Sequence, residues 1–230
     1  MHKLLVFDLD GTLAPIGKGM GEENTHLLQA LEEAGYRIAV CSGKPAFYLS
    51  GFLRQTELKA PILIGENGAT ISFGIDLPPK EYYEAPVSER ARSQIQNFRT
   101  QIDRRIKVYY QPNEIGLTPF PKDQKQFDVI QQIIDTTSAE EKDELLIYRH
   151  ADSFDFTPKN INKYTGLELL SRVSGYQAAD MIAIGDGVND LPMFEYADIS
   201  LGIGAAVKNQ VTKPFEHVRQ VLEYLLKERI

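Results

Sequence analysis

The sequence has few of the features that mark secreted, membrane or nucleic-acid-binding proteins. Its 230 residues include one cysteine, Cys41, so no internal disulfide can form, which is consistent with a reducing compartment. No apolar run approaches the roughly 20 residues that cross a membrane, and Asp8 interrupts the N-terminal apolar stretch that a signal peptide would need. The formal net charge is −7, and no basic cluster could neutralise a phosphate backbone. We therefore predict a cytoplasmic protein that binds neither membrane nor nucleic acid.

What is present is the composition of a globular protein. Hydrophobic residues make up 43% of the chain and charged residues 25%. A chain of this length can bury a sizeable core, as one large domain or as a domain with an insert. No feature of the sequence indicates an oligomeric state.

Both ends of the chain alternate strand and helix patterns. Apolar runs predict buried strands, and apolar residues at helical spacing predict the helices between them. The predicted strands are 4–7, 36–41, 61–65, 69–73, 181–184 and 199–201, and the predicted helices are 22–34, 46–55, 163–173, 191–196 and 215–227. This alternation predicts an α/β fold whose core is a Rossmann-like, doubly wound parallel sheet with right-handed crossovers.

The pattern changes after Pro78 and Pro79. The predicted strands are now 80–85, 106–111, 117–120, 145–150 and 154–157, and the predicted helices are 87–102 and 123–136. We interpret 79–157 as a small inserted α+β domain with an antiparallel sheet, and 1–78 with 158–230 as the core domain. Alternation predicts that one set of strand residues meets the helices: Ile106, Val108, Tyr110, Leu145 and Ile147. The opposite set faces outward or toward the core domain: Lys107, Tyr109, Tyr148 and His150.

Two carboxylates follow the first predicted strand. In an extended chain Asp8 and Asp10 point to the same side, where the strand stops being packed. Two crowded anions are costly unless a cation neutralises them, and an oxygen-ligated ion such as Mg²⁺ is the usual solution. The alternative is an edge strand that ends in an ordinary Asp-x-Asp-Gly turn.

Other polar groups follow the neighbouring predicted strands. Ser42 and Gly43 precede a helix and form a possible anion cradle, Asn67 follows the third strand, and a Gly-spaced acidic loop from Gly185 to Asp190 follows the strand at 181–184. In doubly wound sheets, ligands bind beyond the carboxyl ends of the strands, so these groups are expected to converge.

Each of these residues also has an ordinary structural explanation. Lys163 could be a surface lysine at a helix start, and Ser42 and Asp190 could be helix caps. Asn67 with Gly68 could be only a turn. In the insert, an aromatic stripe is usually packing, and a lone histidine is seldom a ligand.

Taken together, the motifs resemble those of the haloacid dehalogenase-like phosphatase superfamily. The matching segments are Asp8-Leu9-Asp10-Gly11-Thr12, Ser42-Gly43-Lys44, Lys163 and Gly185-Asp186-Gly187-Val188-Asn189-Asp190, in the family's order. The insert resembles a C2-type cap, as in archaeal-type phosphoglycolate phosphatases, sucrose-phosphate phosphatases and phosphomannomutases. Two departures are Lys44, where many relatives have Arg, and Gly204-Ala205-Ala206, which lacks a frequent Asn.

The resemblance implies a role for each site residue. Asp8 would be the nucleophile that forms an aspartyl-phosphate, and Asp10 the general acid and base. Mg²⁺ would be bound by Asp8, the backbone carbonyl of Asp10, Asp186 and Asp190, the last directly or through water. Lys163 would neutralise the nucleophile and the phosphoryl group. The predicted substrate-binding residues are Ser42, Gly43, Asn67, Lys163 and Asn189 in the core, and Tyr109, Tyr148 and His150 in the cap.

The function we predict is hydrolysis of a small phosphorylated metabolite, such as a sugar phosphate or phosphoglycolate, by a Mg²⁺-dependent phosphomonoesterase. One alternative within the same chemistry is a phosphomutase similar to phosphomannomutase. Another, from a different class, is a non-catalytic regulator that binds a phosphorylated ligand. Release of free phosphate separates the first prediction from both alternatives.

Overall fold

A computed structural model describes residues 3–230 and divides the chain into two compact units. The first unit contains the chain up to Ala85 together with Asn162–Ile230, and the second contains Pro86–Ile161. No helix among these residues is long and apolar enough to cross a membrane.

The first unit is built on an eight-stranded sheet. Its strands are β1 (Leu4–Phe7), β2 (Arg37–Cys41), β3 (Ile62–Gly65), β4 (Thr70–Phe73), β5 (Tyr82–Glu84), β10 (Met181–Gly185), β11 (Ile199–Ile203) and β12 (Lys213–Phe215). Their order in the sheet is β12-β11-β10-β1-β2-β3-β4-β5. The pairs from β12 to β3 are parallel, and β4 and β5 are added antiparallel. The predicted α/β class with a doubly wound parallel core is confirmed.

The helices of this unit contribute apolar side chains to its core. They are α1 (Glu22–Glu33), α2 (Ala46–Leu53), α5 (Lys163–Ser174), α6 (Leu191–Tyr196) and α7 (Val218–Glu228). Leucines at helical spacing on α1, such as Leu28 and Leu31, are fully buried and join the core cluster with Leu222 and Leu225 of α7. All four residues of β1 are also fully buried, as expected for a central parallel strand covered on both faces.

The second unit packs two helices against two hairpins. The helices are α3 (Glu89–Asp103) and α4 (Gln124–Thr136), whose N-termini are capped by the side chains of Ser88 and Asp123. The hairpins pair β6 (Tyr109–Gln111) with β7 (Thr118–Phe120), and β8 (Leu145–Arg149) with β9 (Phe154–Pro158). Phe98, Phe154 and Phe156 lie at the centre of the core.

The predicted facing of the insert strands is confirmed. Five residues join the apolar cluster between helices and hairpins, as predicted: Ile106, Val108, Tyr110, Leu145 and Ile147. Tyr109 and Tyr148 are exposed, 68% and 51% respectively.

Three predictions about elements are wrong. The strand at 80–85 was assigned to the insert, but β5 pairs with β4 in the large sheet, because an antiparallel meander needs only short connections. The strand at 199–201 is not the last, since β12 follows and pairs in parallel with β11. The antiparallel sheet of the insert is two separate hairpins, between which an isolated bridge joins Leu117 and Phe156.

Candidate active site

The polar groups that follow β1, β2, β3 and β10 lie at one edge of the large sheet, since these strands are parallel neighbours. β1 is central, flanked by β10 and β2, so the alternative of an edge strand with a solvated turn is wrong. Asp8 follows β1 directly and is only 5% exposed. Its backbone N–H donates to the carbonyl of Ile184 on β10 at 2.8 Å, which continues the ladder to the residue that carries the carboxylate.

Lys163 is the buried cation of this edge. It is the first residue of α5, and its side chain is 1% exposed. The ammonium lies 2.5 Å from Asp8 Oδ1 and 2.6 Å from Asp190 Oδ1. The alternative of a surface lysine is therefore wrong.

A close contact between two glycines positions the helix that carries Lys163. A Cβ built on Gly166 of α5 would lie 2.5 Å from the Cα of Gly68, and one built on Gly68 would lie 2.7 Å from the Cα of Gly166. Gly68 has φ 106°, and Asn67 before it has φ 57°. The left-handed turn and the close approach explain why the residues after β3 include Asn and Gly.

Asp190 holds the loop after β10. Its Oδ2 accepts hydrogen bonds from the backbone N–H groups of Asp186 and Gly187, both at 2.9 Å, while its Oδ1 contacts Lys163. The side chain is fully buried and makes no capping hydrogen bond to α6. The interpretation of Asp190 as a helix cap is therefore wrong.

Asp186 is oriented by a residue to which the sequence analysis gave no role. The hydroxyl of Thr12 donates to Asp186 Oδ1 at 2.7 Å. Gly11 lies directly against the Asp186 carboxylate, where no Cβ would fit. Gly11 and Thr12, in the loop after β1, thus both contact Asp186, in the loop after β10.

Asp10 lies apart from the other carboxylates. The acidic cluster that could hold a metal ion consists of Asp8, Asp186 and Asp190, whose nearest ligand atoms lie within 4.8 Å of one another. The Asp10 side chain instead faces Lys44, whose ammonium is 3.8 Å from Asp10 Oδ2. Lys44, like Thr12, has no role predicted from the sequence. The one feature that distinguished it there was a Lys where many relatives have Arg in the Ser-Gly-Lys segment.

The remaining core residues of the predicted site lie on the same loops. Ser42 Oγ accepts a hydrogen bond from the backbone N–H of Lys44 at 3.2 Å and does not cap α2, which begins after Pro45. The backbone N–H of Asn67 donates to the carbonyl of Ser42 at 2.8 Å, and the Asn67 amide lies beside Gly43. Asn189 lies against Gly187 within the acidic loop.

The electrostatics of the cluster are dominated by burial. Loss of water raises the pKa of Asp8 to about 6, aided by Asp190 and Asp186 and opposed by Lys163. Burial alone would lower the pKa of Lys163, but Asp8 and Asp190 outweigh it and raise that pKa, so the lysine stays charged. Burial also raises the pKa of Asp186. The carboxylates of Asp8, Asp186 and Asp190 thus lie close together, and the single charge of Lys163 does not neutralise all three.

This donor set fits a divalent metal ion. Carboxylate oxygens are the ligands of hard cations, and raised carboxyl pKa values mark a place where added positive charge is favourable. Within residues 3–230, Asp8 Oδ2 accepts no hydrogen bond, whereas both oxygens of Asp190 are occupied. Asp8 and Asp186 can therefore bind a metal ion directly, and Asp190 supports them from behind.

The predicted cap residues lie in the second unit. Tyr109 and Tyr148 project from the two hairpins, and His150 Nε2 lies 3.0 Å from Asp155 Oδ2. Asp155 also accepts from the hydroxyl of Thr118 at 2.7 Å. The exposure of both tyrosines excludes the interpretation that they fill the core of the insert.

A doubly wound α/β unit with an acidic cluster and a buried lysine at its carboxyl edge is compatible with phosphoryl transfer. A family model described as haloacid dehalogenase-like hydrolase matches residues 5–143 and 80–223. The chain therefore belongs to the haloacid dehalogenase-like hydrolase family, and it is an enzyme of the phosphatase type.

Similar proteins cover nearly the whole chain. A phosphoglycolate phosphatase of Methanococcoides burtonii is 23% identical over 95% of this chain and 89% of its own length. The 5-amino-6-(5-phospho-D-ribitylamino)uracil phosphatase YitU of Bacillus subtilis is 22% identical over 89% of this chain and 87% of its own. The crystal structure of a haloacid dehalogenase-like hydrolase from Bacteroides thetaiotaomicron matches with a TM-score of 0.75 and 18% identity, covering 98% of this chain and 100% of that one. The last similarity concerns the fold.

Proposed function

We propose that the protein is a Mg²⁺-dependent phosphomonoesterase that hydrolyses a small phosphorylated metabolite through an aspartyl-phosphate on Asp8. The observation that carries this proposal is the buried contact of Lys163 with Asp8 and Asp190, with Asp186 beside them. A carboxylate between an ammonium group and a cation site can approach a phosphoryl group, because the positive charges reduce their mutual repulsion.

In the first half of the reaction, a carboxylate oxygen of Asp8 forms a bond to phosphorus while the ester P–O bond breaks. Asp10 donates its proton to the departing oxygen, so the leaving group departs as a neutral alcohol. Lys163 keeps its proton and compensates the charge that develops around phosphorus. The hydroxyl of Ser42 donates a hydrogen bond to a phosphoryl oxygen.

In the second half, Asp10 acts as a base. It takes a proton from water while the water oxygen bonds to phosphorus, and the bond between phosphorus and Asp8 breaks. Inorganic phosphate leaves, and both aspartates return to their starting states.

The proposed Mg²⁺ would be held by Asp8, Asp186 and the backbone carbonyl of Asp10, with Asp190, whose two oxygens are occupied, supporting them from behind or through water. When bound, it would neutralise the carboxylates and screen the charge of the phosphoryl group. The role of Thr12 follows from its hydrogen bond: it keeps one oxygen of Asp186 occupied and so orients the other.

The substrate class is supported by the names of the relatives, which include phosphatases of phosphoglycolate and of a phosphorylated ribitylaminouracil. We propose that Gly43, Asn67 and Asn189 contact the substrate from the loops of the first unit. The second unit, residues 86–161, would act as the cap and select the leaving group through Tyr109, Tyr148 and His150.

The experiment is a panel of phosphorylated metabolites assayed for free phosphate and for isomerised sugar phosphate, with Mg²⁺ or with excess chelator. We expect phosphate release only with the metal. Borohydride reduction during turnover should convert a phosphorylated Asp8 to homoserine, detectable by mass spectrometry of the peptide. Full hydrolysis in chelator would reject the metal mechanism, isomerised sugar phosphate would indicate a mutase, and no turnover of any ester would favour a binding protein.

A further inference from the structure

Two lysines lie at the carboxyl edge of the large sheet, and they differ in what they can still bind. Lys163 is buried between two carboxylates at 2.5 and 2.6 Å, so its charge is compensated within the protein. Lys44 has a side chain that is 34% exposed, and Asp10, its ion-pair partner among residues 3–230, is 28% exposed. The second lysine is therefore open to a ligand.

The backbone of Lys44 is fixed, although its side chain reaches solvent. Its N–H donates to Ser42 Oγ at 3.2 Å, and its carbonyl accepts from the N–H of Glu66 at 3.0 Å. Pro45 follows and leads directly into α2. The ammonium can therefore move only as far as its four-carbon stem allows, and this range includes the Asp10 carboxylate.

The contact between Lys44 and Asp10 leaves the ammonium with unused donors. The separation of 3.8 Å is longer than the 2.7–3.2 Å of a hydrogen bond. Within residues 3–230 the Lys44 ammonium donates no hydrogen bond, although an ammonium has three donors. An anionic oxygen that approached Asp10 from the solvent side would find these donors available.

We propose that Lys44 determines specificity, selecting phosphate esters whose leaving group carries a second anionic oxygen group, a carboxylate or a phosphate, close to the ester oxygen. This inference rests on the proposed function, in which Asp10 protonates the leaving oxygen. Because that oxygen must lie within hydrogen-bonding distance of Asp10, a group one or two carbons away comes within reach of Lys44.

Charge explains why such a residue is needed. Asp8, Asp10 and Asp186 lie on the loops where the phosphoryl group would react, and an anionic leaving group would be repelled by any of them that is ionised. The Lys44 ammonium, 3.8 Å from Asp10, offsets this repulsion at that point. Since an ammonium is a compact charge on a flexible stem, it accepts a carboxylate or a phosphate without the planar geometry that a guanidinium imposes.

Three two-carbon esters test the proposal: 2-hydroxyethyl phosphate, phosphoglycolate and ethane-1,2-diyl bisphosphate. They share the scissile bond and differ in the charge at the far carbon. We expect Lys44→Met to lower the kcat/KM ratio of an anionic to the neutral ester by at least about tenfold, which corresponds to about 1.4 kcal/mol. Lys44→Arg should retain most of the preference. Lys80→Met, which removes an 85%-exposed lysine paired with Asp76, is the matched charge control.

Each outcome decides a separate question. A larger change for the bisphosphate would identify a phosphate as the preferred second group, and a larger change for phosphoglycolate a carboxylate. An unchanged ratio in Lys44→Met would overturn the proposal. If all three esters also lost activity equally, Lys44 would be a positioning residue for Asp10 and not a specificity determinant. If Lys44→Met does not fold, Lys44→Gln replaces it. Failure of the proposed function is distinct, because the wild-type protein would then release phosphate from no ester of the metabolite panel. Hydrolysis of other panel esters but of none of these three would overturn the Lys44 proposal alone.

Discussion

The two units bury different kinds of polar side chain. In the first unit, the buried polar residues include Asp8, Lys163 and Asp190, which carry charge. In the described second unit they are neutral: Gln94, Thr118, Gln126, Thr137 and Ser153. Gln94 accepts from the backbone N–H of Glu144 and donates to the carbonyl of Glu140, so it connects a helix to a loop.

This difference distinguishes the candidate active site of the first unit from the structural hydrogen bonds of the second. Taking an ion pair out of water often costs more than its attraction returns, so charged residues are rarely buried for stability alone. The neutral amides of the second unit satisfy loop backbone groups at a smaller desolvation cost. We therefore expect the charged cluster to serve the proposed chemistry rather than stability.

The largest effect is expected from Asp8→Asn. This variant keeps the size of the side chain but loses the nucleophilic oxygen, so kcat should fall by at least about a thousandfold. Steady-state phosphate release measures this, and mass spectrometry should find no phosphorylated residue 8. Activity within tenfold of the wild-type value would exclude Asp8 as the nucleophile.

The variant Asp10→Asn tests the proposed proton donor. It removes the proton donor and keeps the backbone carbonyl, so esters with poor leaving groups should lose more activity than activated aryl phosphates. Equal losses would argue against Asp10 as the general acid.

Lys163→Met tests the buried charges directly. Asp8 and Asp190 would be left without a counterion, so the free energy of unfolding should fall by about 3–5 kcal/mol, and activity should be lost. Chemical denaturation measures the first effect. The double variant Lys163→Met with Asp190→Asn should recover part of this stability, because one buried charge is removed.

The matched variant in the second unit is Gln94→Leu. It should cost about 1–3 kcal/mol, the usual penalty for unpaired buried groups, with a much smaller loss of kcat. If both variants abolished activity equally, the distinction between a reactive unit and a hydrogen-bonded structural unit would fail.

The raised pKa of Asp8 predicts how stability depends on pH without metal. Burial raises this pKa from 3.8 to about 6, so the native state binds a proton more tightly than the unfolded chain. This contribution is fully present below the unfolded pKa of 3.8 and is lost as pH rises through about 6. In chelator, wild type should therefore lose stability relative to Asp8→Asn between about pH 4 and about pH 6.5.

Added Mg²⁺ should reverse that loss, because it binds the ionised carboxylate. Denaturation curves of both proteins at the two pH values, with and without metal, give the comparison. A pH-independent difference between the two proteins would show that Asp8 does not titrate in this range.

The smallest stability effect is expected from Tyr148→Ala. The side chain is 51% exposed, so the free energy of unfolding should change by no more than about 0.5 kcal/mol. If Tyr148 contacts the leaving group, the ratio of kcat/KM among phosphorylated metabolites should change, while a small aryl phosphate stays within about tenfold. Phe156→Ala, in the core of the insert, is the control and should cost about 3–5 kcal/mol. An unchanged substrate profile in a stable Tyr148→Ala protein would move the search for selectivity elsewhere.

The sequence by itself determined the fold class, because buried apolar runs alternating with amphipathic helices have few packed solutions. It also indicated which loops carry polar groups, since Asp8, Ser42, Asn67 and Asp186 each follow the end of a predicted strand. Parallel strands bring those ends to one edge whatever the details of packing. The facing of the insert strands, such as Ile147 inward and Tyr148 outward, followed from the two-residue period alone.

Only the tertiary structure decided which side chains touch. The contact of Lys163 with Asp8 and Asp190 joins residues 155 and 27 positions apart, and no local pattern encodes it. β5 pairs with β4 at one edge of the sheet, and β12 pairs with β11 at the other. Which edges remain open for such strands is a property of the assembled sheet. The contacts of Thr12 with Asp186, of Lys44 with Asp10 and of Gly68 with Gly166 likewise join segments distant in the sequence. Physical chemistry dictates which residue types suit a phosphoryl-transfer site, but distances within that site exist only once the chain has folded.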